Sequence, residues 1–210
     1  MRVWLPDRPG ALGQVASRIG AVRGDVVGIE ILERGGGSAI DELVVSLPDE
    51  VTRELLLAEI AQVDGVAVED VRPIDPNRPD AGMLALEITA ALVETEPAER
   101  LDAFCDWLLY LVDGVWALAM RTDDGDTLVE RGTPPDRNWL AAFFAGSRHI
   151  PAGEFAASSP GDVVWVHLRR AGISVATGRG DRPFHTRERL QVWLLGRVID
   201  GLLATSLDCA

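Results

Sequence analysis

What most constrains this chain is the order in which its apolar residues change period over the first seventy-odd positions. Arg2 to Pro6 reads as a short strand. Leu12, Val15, Ala16, Ile19 and Val22 then recur at helical spacing, and Gly24 stops that helix. The run Val26 to Leu32, the turn Gly35-Gly36-Gly37 and the run Ala39 to Leu47 make a hairpin signal. A second helix carries Val51, Leu55, Leu56, Ile60 and Val63 on one face and ends at Gly65, before a last strand from Val66 to Val71. The expected order is βαββαβ, an antiparallel sheet with both helices on one face and the other face left to be covered.

Residues 73–82 carry three prolines among polar residues and read as a linker. The expected organisation is a first domain over 1–74, a linker over 75–83 and a second domain over 84–210. That second part opens with helical patterns at Leu84–Val93 and Ala98–Val112, with Pro97 near the start of the latter. Val115–Met120 and Thr127–Glu130 form a hairpin around Asp123-Asp124-Gly125-Asp126. A helix with Trp139, Leu140, Phe143 and Phe144 follows, then an irregular stretch from Ser147 to Ser159. A further hairpin, Val163–Leu168 and Gly172–Thr177, precedes a long helix over Thr186–Leu203. No internal repeat is present. The class expected for the whole chain is α+β.

Charge and composition narrow the functions. The net charge of −13 repels a phosphate backbone, so nucleic acid is not an expected partner. All 20 cationic residues are arginine, which removes Schiff-base lysines, phosphate-loop lysines and lysine general bases. No apolar run approaches the roughly 20 residues that cross a bilayer, and Met1-Arg2-Val3-Trp4-Leu5-Pro6-Asp7 lacks the apolar core of a secretory signal, so the expected location is cytoplasmic, without membrane association. Cys105 and Cys209 form neither a disulfide framework nor a ligand cluster and are read as free thiols. His149, His167 and His185 lack metal-ligand spacing. A triad of His167 with Ser158 or Ser159 has no nucleophile turn behind it, and the glycine clusters at 35–37 and 178–180 match no phosphate-binding pattern. No catalytic residue, metal or cofactor is therefore assigned. Trp107, Trp116, Trp139, Trp165 and Trp193 all fall in the second half and are read as core or interface.

The βαββαβ order is the ferredoxin-like architecture. Within it, Leu5-Pro6-Asp7-Arg8-Pro9-Gly10-Ala11-Leu12 resembles the strand-to-helix turn that opens ACT domains, a likeness that covers residues 1–74 and extends to Asp25-Val26-Val27 at the start of the second strand. Pro9 fixes the backbone, Gly10 permits a sharp turn, and the N–H groups entering the helix can hold a carboxylate. An α-amino acid offers that carboxylate, and its ammonium can pair with Asp7 or Asp25. The resemblance implies a homodimer in which this loop meets the partner's second strand around the effector. The implied contacts are Asp7, Arg8, Pro9, Gly10, Ala11 and Leu12, with Asp25, Val26 and Val27. Asp25 stands where the family often has Asn, so an amide donor to an effector carboxylate is lost there.

Residues 84–205 resemble a GAF-like domain, helices packed on a sheet of hairpins with a long closing helix. The local evidence is the turn Gly178-Arg179-Gly180-Asp181-Arg182-Pro183-Phe184-His185-Thr186-Arg187-Glu188-Arg189, with Thr186 as a helix cap and Phe184 as a staple. The expected function is a non-enzymatic, amino-acid-binding regulatory protein. Two alternatives are a ligand-free dimerisation or interaction module and an enzyme in the C-terminal half.

Overall fold

The computed structural model describes residues 1–49, 51–148, 161–180 and 182–207. His149, Ser158, Ser159, Asp181, Cys209 and most of the stretch read as irregular lie outside them. The chain divides into two compact units, Met1–Arg78 and Pro79–Ala210.

The first unit runs β1 (Arg2–Pro6), α1 (Ala11–Ala21), β2 (Asp25–Gly35), β3 (Ser38–Ser46), α2 (Val51–Ile60) and β4 (Ala67–Asp70). Its four strands form an antiparallel sheet in the order β2-β3-β1-β4. Alternation along β1 sends Val3 and Leu5 into a core with Ala11, Val15 and Ile19 of α1 and Leu56 and Ile60 of α2. Each buried Val, Leu or Ile among them contributes about 1.5–3 kcal/mol over its exposed state.

Two local details differ from expectation. The residue that turns left-handed after α1 is Arg23, at φ 62°, not Gly24. Gly24 is required for space instead: a Cβ there would stand 2.9 Å from Ile19 Cγ2 and 3.0 Å from Leu47 Cδ2. Strand β2 also runs on to Gly35, past the apolar run that ended at Leu32, because polar residues 33–35 stay in register with β3 through two irregularities.

In the second unit the order is α3 (Ala81–Glu94), α4 (Arg100–Val112), β5 (Trp116–Arg121), β6 (Thr127–Gly132), α5 (Arg137–Ser147), β7 (Val163–Leu168), β8 (Ile173–Gly178) and α6 (Thr186–Leu207). Its strands form a second antiparallel sheet, β6-β5-β8-β7. Along β5, Ala117 and Ala119 face a cluster built with α3, α4 and α6, while Trp116, Leu118 and Met120 face Leu140 and Phe144 of α5. Coverage of both faces explains why Trp116–Met120 of β5 and Val163–Val166 of β7 read as continuous apolar runs. Helix α3 starts ahead of the apolar pattern because Asp80 caps it, its Oδ1 accepting the Gly82 and Met83 N–H groups at 2.9 and 3.0 Å.

The β8–α6 turn is held by charge as well as by the expected Phe184. The guanidinium of Arg179, 1% exposed, donates to the carbonyls of Val112 and Pro183 at 2.7 Å each, lies 2.9 Å from Glu188 Oε1, and stacks 3.9 Å over the Phe184 ring. Thr186, expected as the cap, is the first helical residue. Glu188 reaches back from the first turn to accept the His185 N–H at 2.9 Å, one half of a capping box. Among the described residues no helix is long and apolar enough to cross a membrane.

Candidate functional site

The residues Asp7 to Leu12 form the β1–α1 turn. Asp7 N–H donates to Gly37 O at 2.9 Å, tying the turn to the β2–β3 hairpin, and Arg8 N–H donates to Pro6 O at 2.8 Å. Gly10 takes φ 86° with nothing within 4 Å of where a Cβ would be, so it is selected for its backbone angle. No side chain caps α1. Ala11 and Gln14 N–H bond to Arg8 O and Gly10 O, whereas the Leu12 and Gly13 amides find no acceptor among the described residues. Asp7, Arg8, Pro9 and Gly10 are exposed, Leu12 is half-buried and Ala11 is buried. The turn thus presents open amides at the positive end of a helix, with a carboxylate beside them.

Asp25, Val26 and Val27 lie elsewhere. Asp25 pairs with Ser46 at one end of β3, and Pro6 pairs with Ser38 at the other. At about 3.3 Å per residue the two sets are about 26 Å apart along the sheet. One chain cannot close both around a single amino acid. Strand β2 is an edge of the sheet, and along it Val27 and Ile29 are 61% and 52% exposed.

Two features of this unit were not anticipated from sequence. Asp41 of β3 sits opposite Val3 on the helix-covered side, is 3% exposed, and its Oδ1 has no hydrogen-bond partner. Burial pushes its carboxyl above the usual carboxylate range, Arg34 draws it down and Asp7 pushes it further up. The signal was present in the alternation Ala39, Asp41, Leu43, Val45, which places a charged residue at an inward position. The second feature is a cleft of about 380 Å³ at the far end of the sheet, between β3, α2 and the chain leaving β4.

In the second unit, Ser147, His167 and Ser174 form a chain: Ser147 Oγ is 3.1 Å from His167 Nε2, and His167 Nδ1 is 2.8 Å from Ser174 Oγ. Both hydroxyls are buried, and that of Ser147 also donates to Phe144 O at 3.2 Å, which makes it a helix-end bond and no free nucleophile. Burial, with the guanidinium groups of Arg148 and Arg169, lowers the imidazole to about 4. The unfolded chain therefore takes up this proton first, and stability is lost as pH falls from about 6.5 towards 4. We expect the wild type to lose on the order of 2 kcal/mol over that window from this ring, less than the full shift implies because it is partly exposed and screened. Urea titrations at pH 7 and pH 4.5 check this: His167→Gln should narrow the difference, and an unchanged difference would count against it.

Burial raises the Cys105 thiol to about 12, so it is an inert core group. His185 is buried against the β8–α6 turn. Among the described residues no cluster of three or more His, Cys, Asp or Glu is arranged to hold a metal. Trp116 and Trp165 are core residues, whereas Trp139 is exposed and stacks on Phe143 at 5.4 Å. No protein-family model matches the chain, and no curated protein or solved structure matches it either.

Proposed function

We propose that the first unit is an ACT-type, ferredoxin-like module that binds an α-amino acid, and that the protein works as an effector-responsive regulator through a homodimer. The observation that carries this reading is the β1–α1 turn: a left-handed Gly10 leads into an uncapped helix whose Leu12 and Gly13 amides are open to a carboxylate. The ammonium has the exposed Asp7 carboxylate at the turn. The separation of the turn from Asp25–Val27 argues for two copies. An antiparallel pairing of two β2 edges sets Asp25–Val27 of one copy beside residues 33–35 of the other, the end tied to its Asp7 turn. Effector binding then favours one arrangement of the GAF-like second unit over another.

The test is thermal denaturation against each of the twenty amino acids, paired with sedimentation velocity. One or a few amino acids at a hundred times their Kd should stabilise by about 2.7 kcal/mol and raise Tm by several degrees. Asp7→Ala should remove that rise. Ile29→Glu should dissociate the dimer and remove it as well. A dimer with no response to any amino acid favours the interaction module, and a monomer that responds fully overturns the interface.

A further inference from the structure

The cleft at the other end of the first unit is unrelated to the amino-acid turn, and its walls are chemically uneven. Strand β1 begins at Arg2, opposite Glu42, while β3 runs on to Ser46, so the cleft opens beside the last residues of β3 under helix α2. One wall is aliphatic, with Leu43, Val45, Leu56 and Leu57. The charged wall is largely self-satisfied: Arg2 Nε lies 2.6 Å from Glu42 Oε2, and Arg72 lies 3.8 Å from Asp70 and 4.0 Å from Glu42. Asp49 accepts the backbone N–H and hydroxyl of Thr52 at 2.8 and 2.6 Å, capping α2.

Arg53 is the exception among the cationic side chains; the Met1 ammonium, also in the lining, donates to Leu43 O at 2.8 Å. Arg53 lines the cleft from the first turn of α2, where the helix dipole disfavours a cation, and has no ion pair among the described residues. Asp49 already caps α2, so the group left for an incoming anion is the Arg53 guanidinium, and the aliphatic wall favours an anion that carries an apolar tail. The volume, about 380 Å³, falls in the range of small-molecule sites.

We infer that this cleft is a second ligand site, separate from the β1–α1 turn, for a small carboxylate with an apolar tail, its carboxylate on Arg53 and its tail against Leu43, Val45, Leu56 and Leu57. Isothermal titration of the full chain with sodium octanoate tests it, with octan-1-ol as the uncharged control. Octanoate should bind with a Kd below about 1 mM. Arg53→Glu, on an exposed side chain, should weaken it at least about tenfold, and Leu57→Trp should fill the cleft and abolish it. Asp7→Ala should leave octanoate binding intact, so failure of the amino-acid reading and failure of this one are separable. The inference is overturned by no binding at 10 mM octanoate, by octan-1-ol binding as tightly, or by an affinity that Arg53→Glu does not change. Should Leu57→Trp fail to fold, the Arg53→Glu result decides.

Discussion

Arg179→Ala is expected to lower the unfolding free energy of the second unit by about 3–5 kcal/mol, the cost of removing one partner from a buried ion pair. The guanidinium is buried, and it satisfies the carbonyls of Val112, Arg182 and Pro183 together with the Glu188 carboxylate. Alanine removes the guanidinium that pairs with that carboxylate at 2.9 Å and takes the cation away from the Phe184 face. Val112 ends α4, while Pro183 and Glu188 flank the start of α6, so a single side chain joins two helices and the end of β8. Arg179→Lys should recover little, because an ammonium cannot reach three carbonyls and a carboxylate in one plane. Urea denaturation followed by tryptophan fluorescence reads the change, since five of the six tryptophans are in this unit. A loss below 1 kcal/mol for Arg179→Ala would mean that water replaces the guanidinium at little cost, and the network would not be the turn's main support.

The second large effect is expected at Gly132. It ends β6 opposite Trp116, with φ 65°, and a Cβ there would fall on the carbonyl oxygen of Val115 and 3.1 Å from Trp116 Cα. Val115 immediately precedes and Trp116 opens the central strand β5; Val115 N–H donates to Gly178 O at 2.8 Å, and β5 cannot shift without breaking its ladder with β8. We expect Gly132→Ala to cost about 3 kcal/mol or more, the sum of left-handed strain and forced backbone movement. Gly125 supplies the control. It has φ 76° in the β5–β6 turn with nothing within 4 Å of its Cβ position, so Gly125→Ala should cost only about 1 kcal/mol of dihedral strain. If the two variants unfold at the same urea concentration, close approach is not what selects glycine at 132.

These two sites show where reading the chain stops. The strands and helices of the first unit were legible because their apolar residues keep one period per element, and the Gly35-Gly36-Gly37 turn between β2 and β3 is a local signal. The β1–α1 turn was legible for the same reason: Pro9, Gly10 and Ala11 act through their own backbone. Arg179 was visible only as part of a turn before a helix. Its partners Val112 and Glu188 are 67 and 9 residues away, and nothing in a run of sequence says that a guanidinium will be buried among them. Gly132 likewise has no local peculiarity; the constraint comes from Val115 across the hairpin.

The candidate sites divide along the same line. That Asp7 to Leu12 make a glycine turn into a helix is a short-range property. That Asp25–Val27 lie about 26 Å from that turn follows from the register of β3, which pairs Ser46 with one and Ser38 with the other. The inward carboxyl of Asp41 was written in the alternation of β3. That its Oδ1 lacks a hydrogen-bond partner was not, because that depends on which groups other segments bring near it. The cleft beneath Arg53 is farther still from the sequence, since it is empty space bounded by residues of β3, α2 and the segment after β4. By itself, then, the sequence determined the elements, their order and the local chemistry of the β1–α1 turn, because those depend on neighbours within a few residues. The strand order of both sheets, the buried arginine network, the unbonded Oδ1 of Asp41 and the cleft were decided by tertiary structure, because each is a relation between segments that periodicity cannot bring together.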